Sequence, residues 1–143
     1  MNYKSAGKSY KTVSVETASP GKIILMLFDG ALKFMDIAKK GFTMQDVRAR
    51  NEMIHNNIVK TQAIISELQS SLDMKVGGEF PKTMYELYTF MYKCLQEANV
   101  KKQKKPIEDV YKLLTEIRDA WAEMLAKAEK NDKISLSSLS CNA

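Results

Sequence analysis

The residues from Ser19 to Leu32 form the most apolar stretch of the chain, and they predict the helix around which the remainder is organised. Ser19 can cap the N-terminus of this helix, and Pro20 suits the first helical position, where a missing N–H group is harmless. At about 100° per residue, the apolar side chains fall into two adjacent stripes. The first stripe consists of Ile24, Leu27, Phe28, Ala31, Met35, Ala38 and Phe42, and the second of Ile23, Met26, Gly30, Phe34 and Ile37.

Together, the two stripes make this helix more apolar than an ordinary bundle helix. A helix that packs through one side needs an apolar arc of roughly 100° or slightly more, and here the arc is about twice as wide. Only a narrow strip of lysines and aspartates interrupts it. The pattern therefore predicts either a helix that is buried nearly all round or one that keeps an apolar face for a partner.

Three further stretches repeat apolar residues with a helical period. The predicted helices cover about residues 20–40, 43–75, 79–99 and 106–130. Gly41, a capping pair of Thr43 and Asp46, and Gly77-Gly78 provide the start and stop signals between them. Short connections between long helices favour antiparallel neighbours, so the predicted fold class is all-α, an antiparallel up-down-up-down bundle of four long helices.

The ends of the chain differ in composition from this bundle. Residues 1–18 lack a sustained helical period and predict a flexible N-terminal arm, which carries Tyr10 and Val13. Residues 19–130 are the predicted bundle, and residues 131–143 are a polar, serine-rich tail that is predicted to be disordered.

The net charge of +5 over 143 residues is local and does not form a basic face. The N-terminal arm and the stretch Lys101-Lys102-Gln103-Lys104-Lys105 carry the whole excess of positive charge, and the rest of the chain is nearly balanced. A nucleic-acid-binding protein usually has a basic patch or groove on its folded body. We therefore predict no nucleic-acid partner.

The cysteines and the hydropathy of the chain indicate a cytoplasmic protein. Cys94 and Cys141 are far apart and outside any C-x-x-C setting, which argues against a disulfide framework or a zinc site. The N-terminus has no apolar signal region, and no apolar run reaches the 18 or so residues that a membrane span needs. We predict no membrane insertion.

Catalytic and metal-binding patterns are weak in this sequence. Glu52-x-x-His55 resembles half of a di-iron site, but His55 is the only histidine, so the second half cannot come from the same chain. Helical spacing places His55 off the apolar face, as a surface histidine. Phosphate-binding glycine motifs and a base for a nucleophile are missing. The prediction is a non-enzyme with no catalytic residue, no cofactor and no metal.

The spare apolar surface is the strongest functional signal from the residues themselves. The chain has nine methionines, a residue type that is common on adaptable binding surfaces. The alternative is that methionines fill gaps in the core, which we expect of most members of the set Met26, Met35, Met84, Met91 and Met124. The candidate groove for a partner helix consists of Ile23, Met26, Phe34, Ile37, Tyr85, Phe90, Tyr92 and Cys94.

An ordered set of short segments runs through most of the chain. The segments are Tyr10-x-x-Val13-x-Val15-Glu16-Thr17-Ala18-Ser19-Pro20, Ile24-x-Met26-Leu27-Phe28-Asp29-Gly30-Ala31-Leu32, Leu72-Asp73…Gly77-Gly78-Glu79, Leu87-Tyr88, Ala98-Asn99 and Leu113-Leu114-x-x-Ile117-Arg118-x-Ala120-Trp121. With these spacings the chain resembles a known family, the FliS flagellin-specific export chaperones, from Tyr3 to about Ala126. Phe80-Pro81-Lys82 and the serine-rich tail depart from the family pattern.

The resemblance implies a cytosolic chaperone with two partners and no cofactor. It implies that the disordered C-terminal segment of flagellin folds along hydrophobic grooves of the bundle, which prevents premature polymerisation. The loaded complex is then delivered to the cytoplasmic domain of the flagellar type III export gate. In the family, the N-terminal arm around Tyr10 takes part in docking and covers the empty groove, a role that Val13 would share.

Two other functions remain open at this point. A small self-associating regulatory or adaptor protein could use the same apolar face; a monomer is expected, and a dimer is the alternative. A nucleic-acid or membrane-surface binder could act through Lys101 to Lys105, although the balanced charge of the body disfavours it. Because both stripes of the first helix are apolar, periodicity cannot separate its core residues from its groove residues.

Overall fold

A computed structural model describes the backbone of residues 18–141, and the side chains of this span as far as residue 135. Its helices are α1 (Pro20–Gly41), α2 (Val47–Ser70), α3 (Glu79–Lys101) and α4 (Lys105–Cys141). Between residues 18 and 141 there is no β-strand. The prediction of an all-α fold with four long helices is confirmed. Tyr10 and Val13 lie outside the described residues.

Local side-chain chemistry explains where the helices begin. The hydroxyl oxygen of Ser19 accepts a hydrogen bond from the backbone N–H of Lys22 at 3.3 Å, as expected for the cap of α1. At α2, the carboxylate of Asp46 accepts from the N–H of Ala49 at 2.9 Å, so Asp46 is the cap. The hydroxyl of Thr43 instead donates to the backbone carbonyl of Lys40, in the last turn of α1. Of the predicted capping pair, only Asp46 therefore caps α2.

α2 is shorter than its apolar pattern predicted. It ends at Ser70, whereas the sequence predicted a helix as far as about residue 75. The Ser71 hydroxyl donates to the Leu68 carbonyl at 2.6 Å, and the Asp73 carboxylate accepts from the N–H of Lys75. These local bonds compete with helix continuation. The connection closes through Gly77 and Gly78, whose φ angles of 75° and 87° suit glycine.

α4 is longer than predicted. It continues to Cys141, so residues 131–141 are helical instead of forming the disordered tail that the serine-rich composition predicted. No proline or glycine follows Pro106, and extending an existing helix adds one hydrogen bond for each residue fixed. The residues from 131 to 135 are exposed. Local helix propagation accounts for the added residues 131–135 without burial of their side chains.

The described residues belong to two compact units. One unit contains residues 18–26 and 118–141, and the other contains residues 27–117. The boundary falls inside α1 and inside α4. The predicted division into arm, bundle and tail stays a prediction.

The unit of residues 27–117 is an antiparallel arrangement of helices. α2 and α3 are joined by side-chain pairs in which the residue number rises along α2 and falls along α3: His55 with Asn99, Gln62 with Gln96, and Gln69 with Thr89. α1 and α2 run in opposite directions in the same way, since Gly30 lies against Ile64 and Gly41 against Ile54. The predicted antiparallel hairpins are present in this unit.

The buried apolar core lies entirely within this unit. Its members come from all four helices and are Phe28, Ala31, Met35, Ala38, Ile54, Ile58, Ile65, Leu68, Met84, Tyr88, Met91, Leu95, Ala98, Ile107, Val110 and Leu114. Met35, Met84 and Met91 fill core space as predicted, whereas Met26 and Met124 are exposed. Asn57 and Thr61 bond to backbone carbonyls one turn earlier on α2, so these buried polar groups are satisfied within their own helix.

The unit of residues 18–26 and 118–141 pairs the start of α1 with the distal part of α4. The indole N–H of Trp121 donates to the Gly21 carbonyl at 2.9 Å. Leu125 packs so closely on Gly21 that a Cβ there would lie 2.5 Å from its Cδ2 atom. The Lys22 ammonium and the Glu129 carboxylate form an exposed ion pair at 3.4 Å. A glycine at position 21 thus permits the close approach of Leu125.

None of the helices, as far as they are described, is long and apolar enough to cross a membrane.

Candidate functional site

Within residues 27–117, α1 has helix neighbours on both flanks of its apolar arc. On one flank, Gly30 lies against Ile64 of α2, and the ammonium of Lys60 lies 5.4 Å from the centre of the Phe34 ring. On the other flank, the Tyr111 hydroxyl of α4 donates to the Asp36 carboxylate at 3.2 Å. Packing between two helices explains an apolar arc of double width. The predicted groove residues Phe34 and Ile37 are accordingly half-buried.

The contact of α1 with α4 is polar at this point. Lys39 places its ammonium 3.6 Å from the centre of the Tyr111 ring and 3.2 Å from the Asp36 carboxylate. Burial, and then the negative charge and hydrogen bond of Asp36, raise the pKa of the Tyr111 phenol. The three side chains form a compact link between the two helices, and we assign them a packing role.

The exposed aromatic residues lie on α3. Tyr85, Phe90 and Tyr92 have 46%, 56% and 42% of their surface exposed, while the neighbouring core stripe of α3 is buried. Large exposed aromatic side chains are unusual unless a partner covers them, and tyrosine is enriched among binding hot spots. These three residues of the predicted groove are therefore available for contact.

The flanks of α3 face different neighbours. The backbone carbonyls of Tyr85 and Tyr92 accept hydrogen bonds from glutamines of α2, which places these residues at the α2–α3 edge. Cys94 is half-buried; burial, followed by the charges of Glu97 and of Asp109 on α4, raises the pKa of its thiol. The structure therefore places Tyr85 and Tyr92 at one edge of α3, beside α2.

The remaining predicted groove residues belong to the other unit. Ile23 is half-buried, and Met26 has 42% of its surface exposed. Whether any of the eight residues contacts a partner stays a prediction.

A row of polar side chains along α2 was not predicted as a feature of the site. His55, Gln62 and Gln69 recur every seven residues, and each bonds to α3. We call these three residues and their α3 partners the polar ladder. His55 is exposed, as predicted, and its Nδ1 atom lies 3.0 Å from the Asn99 amide nitrogen. The seven-residue recurrence beside an apolar face was the available signal, but a pattern search for apolar residues passes over it.

The two glutamine rungs of the polar ladder reach both a backbone and a side-chain acceptor. The Gln62 amide donates to the Tyr92 carbonyl at 3.3 Å and to the Gln96 side chain at 3.1 Å. The Gln69 amide donates to the Tyr85 carbonyl at 3.0 Å and to the Thr89 hydroxyl at 2.8 Å. Gln62 is only 5% exposed, so its partners compensate the loss of hydration.

Two of the four lysines in the turn between α3 and α4 are paired with carboxylates. Lys101 pairs with Glu97 at 3.0 Å, and Lys105 pairs with Asp109 at 2.9 Å, each within one turn of helix. Lys102 hydrogen-bonds Asn99. Such pairing reduces the field that a phosphate backbone or an anionic membrane would meet.

Exposed apolar residues that the sequence did not single out lie on the α2–α3 connection and in the first turn of α3. They are Met74 and Val76 on the connection and Phe80 in α3, and each has half or more of its surface exposed. Among the described residues, no group of three or more histidine, cysteine or acidic side chains could hold a metal ion. The molecule as described is an all-α protein that exposes aromatic side chains on α3.

Comparison with known proteins identifies the family. The model of a family described as "Flagellar protein FliS" matches residues 2–128. The chain is 37% identical over 131 residues to the "Flagellar secretion chaperone FliS" of Salmonella typhimurium strain LT2, covering 88% of this chain and 95% of that protein. It is 34% identical over 125 residues to the protein of the same name from Bacillus subtilis strain 168, covering 87% and 89%. The chain belongs to the FliS family.

Proposed function

We propose that this protein is a flagellar secretion chaperone that binds the C-terminal segment of flagellin and keeps it from polymerising too early. The observation that carries the proposal is the row of exposed aromatic residues on α3, in a chain that belongs to the FliS family. The related proteins from Salmonella and Bacillus are named flagellar secretion chaperones. The same function entails a cytoplasmic location and no enzymatic activity.

The client's disorder sets the physical requirement for binding. A segment that folds as it binds spends several kcal/mol of interaction energy on its own ordering, so it must bury an area on the order of 1,000–3,000 Å². A single small pocket is too small for that. Exposed apolar residues on α3 and on the α2–α3 connection offer separate contact points for a client that wraps the helices.

The second step of the proposed function is delivery. The loaded chaperone brings flagellin to the cytoplasmic domain of the flagellar type III export gate, where the client is released for export. We expect a monomer to be the active form, because the helices of the 27–117 unit already bury its apolar core within one chain.

Calorimetric titration with a peptide covering the C-terminal segment of the same organism's flagellin tests this function. We expect a 1:1 complex, a negative heat-capacity change and a gain of helical circular dichroism, because the peptide folds and buries apolar surface. Tyr85→Ala with Tyr92→Ala should weaken binding at least about tenfold, since truncated hot-spot residues typically cost that much.

The matched control is Val100→Ala, an exposed apolar residue of the same helix outside the candidate groove, which should leave the affinity unchanged. If the peptide does not bind at tens of micromolar, the proposed client is wrong. A concentration-dependent dimer in sedimentation under the same conditions would then favour the self-associating adaptor.

A further inference from the structure

The two glutamine rungs of the polar ladder are not needed to satisfy backbone groups. The carbonyls of Tyr85 and Tyr92 lie inside α3, where an intrahelical N–H already bonds to each of them. The Gln62 amide adds a second donor to the Tyr92 carbonyl, and the Gln69 amide joins the Thr89 hydroxyl in donating to the Tyr85 carbonyl. The extra hydrogen bonds therefore link two defined positions on α3 to α2.

The tied points coincide with exposed tyrosines. Each glutamine bonds to the peptide carbonyl of a residue whose side chain is more than 40% exposed at the α2–α3 edge. Tyr85 and Tyr92 are seven residues apart, which corresponds to about 10.5 Å along a helix and returns to nearly the same side of it. The two rings therefore mark one edge at a fixed interval.

Hydrophobic packing alone fixes the axial position of α3 against α2 less sharply. The core side chains of α3 include methionines such as Met84 and Met91, which are unbranched and adapt to small shifts of a neighbouring helix. A hydrogen bond between an amide and a carbonyl is lost when its atoms move apart by much more than half an ångström. The glutamines thus define the axial position of α3 where the apolar core tolerates movement.

We propose that Gln62 and Gln69 are positioning residues for client binding, which hold α3 in the register that presents Tyr85 and Tyr92 at the α2–α3 edge. The inference rests on the proposed function, because it assigns the tyrosines to the contact with flagellin. The segment that fits this edge is an amphipathic helix with apolar side chains at seven-residue spacing, which would meet both rings in turn.

Replacing the glutamines by leucine separates a positioning role from a purely structural one. Leucine has a similar volume, and exchanging hydrogen-bonded buried polar groups for apolar ones of like shape is often neutral or stabilising. The released partners, Gln96 and Thr89, reach solvent. We therefore expect Gln62→Leu with Gln69→Leu to keep the melting temperature within about 5 °C of wild type or to raise it.

The same variant should lose client affinity. We expect titration with the flagellin C-terminal peptide to show about tenfold weaker binding, and little further loss when Tyr85→Ala and Tyr92→Ala are added, because the glutamines act through the tyrosines. Gln103→Leu, at an exposed glutamine outside the polar ladder, is the matched control and should bind like wild type. If the double variant fails to fold, Gln69→Leu is compared with Tyr85→Ala in the same cycle.

Three results would overturn the inference. Wild-type binding by a folded leucine variant would show that the register does not need the amides. A full additional loss in the chain without the tyrosines would show that the glutamines act elsewhere. Absence of binding by the wild-type protein would refute the proposed function itself, which distinguishes that failure from the first two.

Discussion

At the scale of single residues, the buried phenol of Tyr88 gives the fold a dependence on alkaline pH. Tyr88 is 3% exposed in the core stripe of α3, and burial raises its pKa from 10.0 to about 12. The folded state therefore prefers the neutral phenol. This stabilisation is complete below pH 10 and is lost as the pH rises from about 10 to 12, because the unfolded chain ionises first.

Tyr88→Phe tests this linkage. Between pH 10 and 12, the free energy of unfolding of the wild type should fall by about 2–3 kcal/mol more than that of the variant, since one pKa unit corresponds to 1.36 kcal/mol. Urea denaturation at several pH values measures the difference, in which the titration of lysines and other tyrosines cancels. Parallel curves for the two proteins would contradict burial of the phenol.

Predictions for single residues were correct where hydropathy alone decides whether a side chain is buried. Met84 and Met91 were predicted to fill the core, and both are buried, because helical spacing places them on the side of α3 that faces it. Gln62 was missed, because hydropathy places a glutamine outside and only its α3 partners make burial tolerable. The local sequence pattern gives no information about a hydrogen-bond partner on another helix.

At the scale of helices, the ends were harder to predict than the centres. α2 begins with a cap from Asp46 alone, although the sequence predicted Thr43 and Asp46 as a capping pair. α2 ended early, and α4 continued beyond its apolar face. In each case, a few local hydrogen bonds of about 1 kcal/mol decide the boundary, and hydrophobic periodicity does not report them.

The cap of α2 can be checked with a matched pair of variants. Asp46→Ala should lower the free energy of unfolding by about 1 kcal/mol, because the N–H of Ala49 loses its acceptor at the helix start. Thr43→Ala should lower the free energy of unfolding by clearly less, since the Thr43 hydroxyl only donates to the exposed carbonyl of Lys40 in the last turn of α1. Urea denaturation at neutral pH gives both values. Equal losses would mean that the two residues share the cap.

At the scale of the whole molecule, apolar burial is unevenly distributed. Every member of the buried apolar core lies in the unit of residues 27–117. Among the described contacts within the unit of residues 18–26 and 118–141 are the indole bond to Gly21, the packing of Leu125 on Gly21 and an exposed ion pair. Regions with few buried apolar contacts open at lower free energy than the core.

The single tryptophan makes this difference measurable. Trp121 belongs to the unit of residues 18–26 and 118–141, whose described residues include no fully buried apolar side chain, whereas circular dichroism reports on all the helices. We expect the fluorescence transition to occur at a lower urea concentration than the circular dichroism transition. The Trp121→Phe protein, which also lacks the indole bond, is the control for the fluorescence signal. Coincident transitions would instead indicate one cooperative unit.

The candidate site also belongs to this scale, because the contacts of its residues follow from the packing of whole helices. The sequence predicted which residues are apolar in excess, and for Tyr85, Phe90 and Tyr92 the exposure agrees. It could not predict that α1 uses its second stripe against α2, since this depends on which helices become neighbours. The helical period alone places Tyr85 and Tyr92 on one flank of α3 and Phe90 and Cys94 on the other. Which helix the first flank meets is known only from its contacts with α2.

The double-sided packing of α1 has a consequence during synthesis. Asp36 and its partner Tyr111 are 75 residues apart, so α1 leaves the ribosome long before the helix that covers its second flank exists. At about 5–20 residues per second, that flank stays uncovered for roughly 4–15 s. α1 is thus made before the other described helices and is among the last to be fully enclosed. A protein proposed to cover the apolar segments of another chain therefore exposes an apolar helix flank of its own for several seconds during translation.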